Sequence, residues 1–260
     1  MKCLSSIATV GTTLVAFGTV MTCGNGALAA SINNRPIPTI PTGTSLQDTL
    51  DGITISDPGI DVVNDQSPFA LFDNTSSGGA IGTLVAEIAG LKDQNKFGLY
   101  SASNPENKVV IFDGLVSPDS PSPQAFITFL ADGSVKVNGG NSFAGFGGSF
   151  GFYLENDNNT FYTEDSLNNG NPQALVYQGD NVTELKLDGL DSGTFVDTEF
   201  IFAFEDLPFS NSDKDYNDSV VHISGIKPAA VPEPMTILGS ALALGFGGLF
   251  KRERSKRQKN

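Results

Sequence analysis

Glu199 to Ile223 reads EFIFAFEDLPFSNSDKDYNDSVVHI. Two alternating apolar runs bracket a dense acidic stretch, a pattern that suits two strands joined by a loop. Phe200, Phe202 and Phe204 share one face, because strand side chains repeat every two residues. In the second run Val220 and His222 face one way, and Val221 and Ile223 the other. Glu205, Asp206, Asp213, Asp215, Asn217 and Asp218 lie between the runs. Pairing the two strands would bring these oxygens to one sheet edge, where like charges repel unless a cation joins them. Carboxylate and amide oxygens of this kind suit a hard cation, Ca²⁺ first among them.

Asp213, Asp215 and Asn217 have the Asp-x-Asp-x-Asn spacing of a calcium loop. A helix-flanked EF-hand then requires Gly at the sixth position and Glu at the twelfth. Asp218 and Ser224 stand there, between strand-like runs, so the EF-hand is excluded and a different calcium loop stays open. The competing reading is a solvated acidic turn, since Asp, Asn and Ser are ordinary turn formers.

The pattern elsewhere is short β segments broken by Gly, Pro, Asn and Asp. Expected strands cover Ile53 to Ser56, Phe69 to Phe72, Thr83 to Ile88, Lys96 to Tyr100 and Lys108 to Phe112. Further ones cover Gln124 to Leu130, Ser134 to Val137, Thr160 to Thr163, Ala174 to Gln178, Thr183 to Leu187 and Thr194 to Phe204. Ala131-Asp132-Gly133 reads as a hairpin turn. In Phe143 to Leu154, Phe150 and Phe152 share a face and Tyr153 has the opposite parity. The glycines there permit a bulge or close packing. Leu84 to Leu91 offers a turn or two of helix at most, and no longer helical period is present. The expected fold is all-β, a sandwich or jelly roll over residues 50–228, with residues 30–49 as an extended lead-in along a sheet edge.

Three words carry a family resemblance: FAFEDLPFSNSDKDYNDSVVHI, GSFGFYLEN at Gly148 to Asn156, and FYTEDSLN at Phe161 to Asn168. Together they resemble the DUF4114 domain, over residues 144–223. The resemblance implies a β-rich extracellular domain and carries no activity with it.

The two ends read as addresses. Lys2, the apolar Ile7 to Met21 and the small-x-small site Ala27-Leu28-Ala29 have the form of a signal peptide over residues 1–29. Signal peptidase would leave Ala30 as the first mature residue. Gly11, Gly18 and several threonines dilute the apolar run, which disfavours an uncleaved helix. Val20-Met21-Thr22 before Cys23 is a poor lipidation box. Cys3 and Cys23, the two cysteines of the chain, both precede the cleavage site, so the mature chain would have neither disulfide nor thiol chemistry. At the other end Pro232-Glu233-Pro234 precedes an apolar segment, Met235 to Phe250, and a basic run from Lys251 to Lys259. This arrangement over residues 231–257 resembles a PEP-CTERM sorting tail. The resemblance implies a hydrophobic sorting helix, an exosortase partner in a Gram-negative bacterium, transient residence in the inner membrane, and delivery to the cell surface or an exopolysaccharide matrix.

Of 29 acidic and 15 basic residues, Glu233, Glu253, Lys2 and the six basic residues after Phe250 lie outside residues 30–232. That leaves 27 acidic against 8 basic, a net charge of −19 (8 − 27). Such acidity argues against nucleic acid or anionic lipid as partner. Glu155, Glu164, Glu199 and Glu205 are the candidate acids for a glycan hydrolase, but spacing singles out no pair. His222, the sole histidine, sits in a strand without the partners a general base needs. Ser142 and Ser149 lack a G-x-S-x-G setting, and Gly145 to Gly151 lacks the Gly-Lys-Ser/Thr of a phosphate loop. The sequence therefore reads first as an exported, noncatalytic surface or polysaccharide-matrix protein with a calcium-stabilised β domain. A carbohydrate-binding module is the alternative, and a glycan hydrolase comes third. Exposed aromatic rings beside a polar groove would favour the carbohydrate-binding reading.

Overall fold

The computed structural model describes residues 36–40, 44–75, 78–86, 93–114 and 121–230. Aromatic and β-branched residues at alternate positions fit the two faces of a pleated strand, and strands dominate. In chain order they are β1 (Phe72–Asn74), β2 (Gly79–Ala86), β3 (Lys96–Ser101), β4 (Asn104–Phe112), β5 (Gln124–Phe129), β6 (Val135–Val137) and β7 (Ser149–Glu155). There follow β8 (Thr160–Tyr162), β9 (Ala174–Gln178), β10 (Glu184–Leu185), β11 (Gly193–Thr194), β12 (Glu199–Phe204), β13 (Ser219–Ser224) and β14 (Ile226–Pro228). One six-stranded sheet has the order β6-β5-β2-β13-β12-β9. The other runs β14-β1-β7-β3-β4 with β8 paired to β7, and β10-β11 form a small ribbon.

The two large sheets share a phenylalanine core. Phe72 lies 5.0 Å from Phe200, Phe152 lies 4.4 Å from Phe202, and Phe97 lies 6.0 Å from Phe204, centroid to centroid. Burying each such side chain is worth about 1.5–3 kcal/mol. The expected parity holds: Phe200, Phe202 and Phe204 enter this core with Val221 and Ile223, while Val220 faces away.

The far face of β12 is also covered. Ile201 and Ala203 join Leu175, Tyr177 and Val220 beneath Leu46, Leu50, Ile60 and Val62. Leu46 and Leu50 belong to α1 (Leu46–Ile53), which differs from the extended lead-in and the strand expected around Ile53. Ser45 and Asp48 start this helix with a reciprocal capping box, and its two leucines are one turn apart. Eight residues are too few for a helical period to stand out in the sequence. Of Leu84 to Leu91, the region with helical potential, residues 84–86 belong to strand β2 and the rest lie outside the described residues.

Glycine explains one close approach on the outer face of the second sheet. Gly98 pairs with Tyr153, and Gly151 with Tyr100. A side chain at Gly151 would meet Tyr100 ring atoms at 2.4–2.5 Å. The small residue lets the facing ring lie over its backbone.

The expected signal peptide with Ala27, Ala29 and Ala30 lies outside the described residues, as does the expected tail with Pro232, Glu233 and Pro234. Among the described residues no helix is long and apolar enough to cross a membrane. The transmembrane helix expected from the sequence falls in that tail, outside the described residues, and is carried no further.

Candidate metal centre

Phe204 and Ser219 form the last pair of the β12–β13 ladder, and the acidic residues follow at that end. Glu205 is 0% exposed. Its N–H donates to the Gln173 carbonyl at 3.1 Å, which extends the contact with the chain leading into β9. Its carboxylate accepts from the Tyr216 N–H at 2.6 Å and the Lys214 N–H at 3.2 Å. Lys214 and Tyr216 both have left-handed backbone, with φ of 63° and 55°. Each costs about 1–2 kcal/mol for a side chain of L configuration. The turns they create aim two peptide N–H groups at one carboxylate, as an anion-holding nest does. Tyr216 is fixed there by full burial and by donation from its hydroxyl to the Pro172 carbonyl at 2.7 Å.

The same loop geometry brings Asp213 and Asp215 to Glu205. One oxygen from each of the three lies within 4.8 Å of the others. Asp213 is exposed and Asp215 buried. The Asp215 carboxylate accepts from the Asn217 N–H at 3.3 Å and from Asn217 Nδ2 at 2.9 Å. Asn217 Nδ2 also donates to the Thr44 carbonyl at 2.8 Å, so this side chain positions Asp215 and ties the loop to the segment before α1. Thr39 adds a second tie, donating its N–H to the Lys214 carbonyl at 2.9 Å and its hydroxyl to the Asp213 carbonyl at 2.5 Å.

Burial raises the Glu205 carboxyl above its ordinary range, against hydrogen bonds that include those from Tyr216 and Lys214. Burial likewise raises Asp215, with the Asp213 charge adding to it and Asn217 opposing it. An oxygen-only group of carboxylates with this much desolvation fits a hard divalent cation, which favours the ionised form of each.

Asp206 and Asp218 form a neighbouring pair. Asp218 Oδ2 accepts from the Asp206 N–H at 2.9 Å. Asp206 Oδ2 accepts from Asn95 Nδ2 at 3.0 Å, and the Asp206 carbonyl from Asn156 Nδ2 at 2.7 Å. Burial, and then the Asp206 charge, push the Asp218 carboxyl up to about 8. The six oxygen residues expected from the sequence thus divide into a Glu205–Asp213–Asp215 group braced by Asn217, and an Asp206–Asp218 pair. Asn95, Asn156, Thr39 and Thr44 were not expected at this end. They are distant in sequence, and no local pattern marks them.

The other candidate acids have separate surroundings. Glu155 pairs with Lys108 and accepts from Thr160 at 3.0 Å. Burial raises Glu155, but the hydrogen bonds from Lys108 and Thr160 prevail and hold it low. Glu164 is raised by burial and accepts from the Tyr100 hydroxyl at 2.9 Å. Glu199 Oε2 stands 3.5 Å from His222 Nε2. Tyr100, Tyr153, Tyr177 and Tyr216 are buried and Tyr162 is half-buried, so no tyrosine presents an open ring for a sugar. Phe126 and Phe143 are the exposed aromatic residues among the described residues.

No family model matches the chain, and no curated protein matches it. The DUF4114 and PEP-CTERM resemblances therefore have no match behind them, and neither they nor the exosortase partner are carried further.

Proposed function

We propose that the chain is an exported, noncatalytic β-sandwich protein of a cell surface or polysaccharide matrix, whose acidic loop is closed by Ca²⁺ on Glu205, Asp213 and Asp215. The observation that carries this reading is the fully buried Glu205 carboxylate, held by two peptide N–H groups with two more carboxylates beside it. Calcium takes six to eight oxygens, so water completes the shell around these three. Export is supported by the acidic composition and by the confinement of both cysteines to residues 3 and 23. The two-sheet phenylalanine core supports the sandwich.

Calorimetric titration with calcium tests the site. Wild type is expected to give a saturable heat and a higher melting midpoint in calcium than in EDTA. Asp215→Asn is expected to weaken both, because it removes a charged ligand at nearly constant size. An unchanged response in Asp215→Asn would reject the site and return the loop to a solvated turn. Intact mass of protein recovered outside the cytoplasm tests export: the expected start is near Ala30, and retention of Met1 counts against it.

A further inference from the structure

We propose that Asn95, Asp206 and Asp218 form a second divalent-cation site, distinct from the Glu205–Asp213–Asp215 group, that clips the two sheets together at one end. Asn95 is 2% exposed, and its Oδ1 is buried without a hydrogen-bond partner among the described residues. The Nδ2 of the same amide lies 3.0 Å from Asp206 Oδ2, so the amide tip rests against that carboxylate. Asp218 Oδ2, 2.9 Å from the Asp206 N–H, brings a second carboxylate to the same strand end. Two carboxylates and a buried amide oxygen are a hard-oxygen set suited to calcium. A buried acceptor with no donor is costly, and a cation would satisfy it while joining the two like charges.

The setting explains why this pair is separate from the first group. Asn95 immediately precedes β3 and Asn156 immediately follows β7, both in the second sheet. Asp206 and Asp218 lie at the ends of β12 and β13 in the first. Phe97 and Phe204 meet just inside this end. Glu205, one residue earlier than Asp206, instead accepts from the loop N–H groups of Lys214 and Tyr216. A cation on Asp206 would therefore bridge sheets, whereas one on Glu205 would close a loop.

The test counts calcium equivalents on the exported protein by calorimetry, with Asn95→Leu, Asn95→Asp and Asp213→Asn beside wild type. Two equivalents are expected in wild type, with Asn95→Leu losing one and Asp213→Asn losing the other. Asn95→Asp covers the case in which Asn95→Leu fails to fold. A third carboxylate should tighten one equivalent and leave the other unchanged, whereas a purely structural hydrogen bond predicts no change in calcium affinity. One equivalent lost in Asp213→Asn but untouched by both Asn95 changes overturns this second site and leaves the first standing. One equivalent lost in Asn95→Leu and kept in Asp213→Asn supports the second site and rejects the first. A single equivalent lost in both variants means one shared site and overturns the proposal. No saturable heat overturns both.

Discussion

Phe204 and Glu205 are neighbours in the chain and both are 0% exposed, yet burial acts on them in opposite directions. Phe204 meets Phe97 across the core, and removing its ring from water is favourable. Glu205 loses the hydration that an ionised carboxylate prefers, and two peptide N–H groups offset only part of that loss. The β12–β13 hairpin thus joins strands that burial stabilises to a loop in which burial works against the charged side chains. The difference falls within one hairpin, between residues 199–204 and residues 205–218.

The sharpest way to break the contrast is to damage the strand region and look for calcium dependence. Phe202→Ala should cost about 3–5 kcal/mol in urea unfolding, since it opens a cavity among Phe72, Phe97 and Phe152. The loss should be the same in calcium and in EDTA. A loss that calcium restores would mean that core and loop are one unit.

The loop should show the reverse. A ligand that binds only the folded state at one hundred times its Kd stabilises by about 2.7 kcal/mol. Calcium at that level should stabilise wild type and Phe202→Ala equally, and Asp215→Asn much less. Equal stabilisation of Asp215→Asn would assign the effect to general screening of an acidic surface.

A smaller effect is expected from pH. Glu205, Asp215 and Asp218 all bind protons more tightly folded than unfolded, mainly because burial disfavours their charge. Between the unfolded carboxylate range, about 4, and the Asp218 value of about 8, the folded state carries the extra protons. Calcium-free protein should therefore lose stability as pH rises through that window. Saturating calcium displaces those protons and should flatten or reverse the slope. Melting midpoints across the window, with and without EDTA, check the sign. A calcium-free protein that gains stability with pH would contradict it.

The smallest effect probes the segment between core and loop. Ser45→Ala removes the cap of α1, which covers the far face of β12, and should cost about 1 kcal/mol. The calcium heat should stay unchanged. A weaker calcium heat would show that the Thr44 carbonyl contact with Asn217 transmits the loss of the cap to the loop.

The strands were legible because period two is a local property: Phe200, Phe202 and Phe204 needed only one another to define a face. The hairpin of β5 and β6 was legible for the same reason, since Asp132-Gly133 marks its turn and Gly133 has a φ of 77° there. The acidic loop was legible as composition. Its division into two groups was not, because it depends on which oxygens the left-handed turns at Lys214 and Tyr216 bring to Glu205. The helix α1 was obscured by its length, although Ser45 and Asp48 carry its capping signal.

From the sequence alone came the all-β class, the faces of the main strands and the concentration of hard oxygen ligands between two of them. All three follow from side-chain chemistry repeated over a few residues. Only the tertiary structure placed Asn95 against Asp206 across 111 residues of chain, and Thr39 and Thr44 against the acidic loop. Such contacts are set by how two sheets and a lead-in pack, and no local spacing encodes which distant amide arrives beside a buried carboxylate.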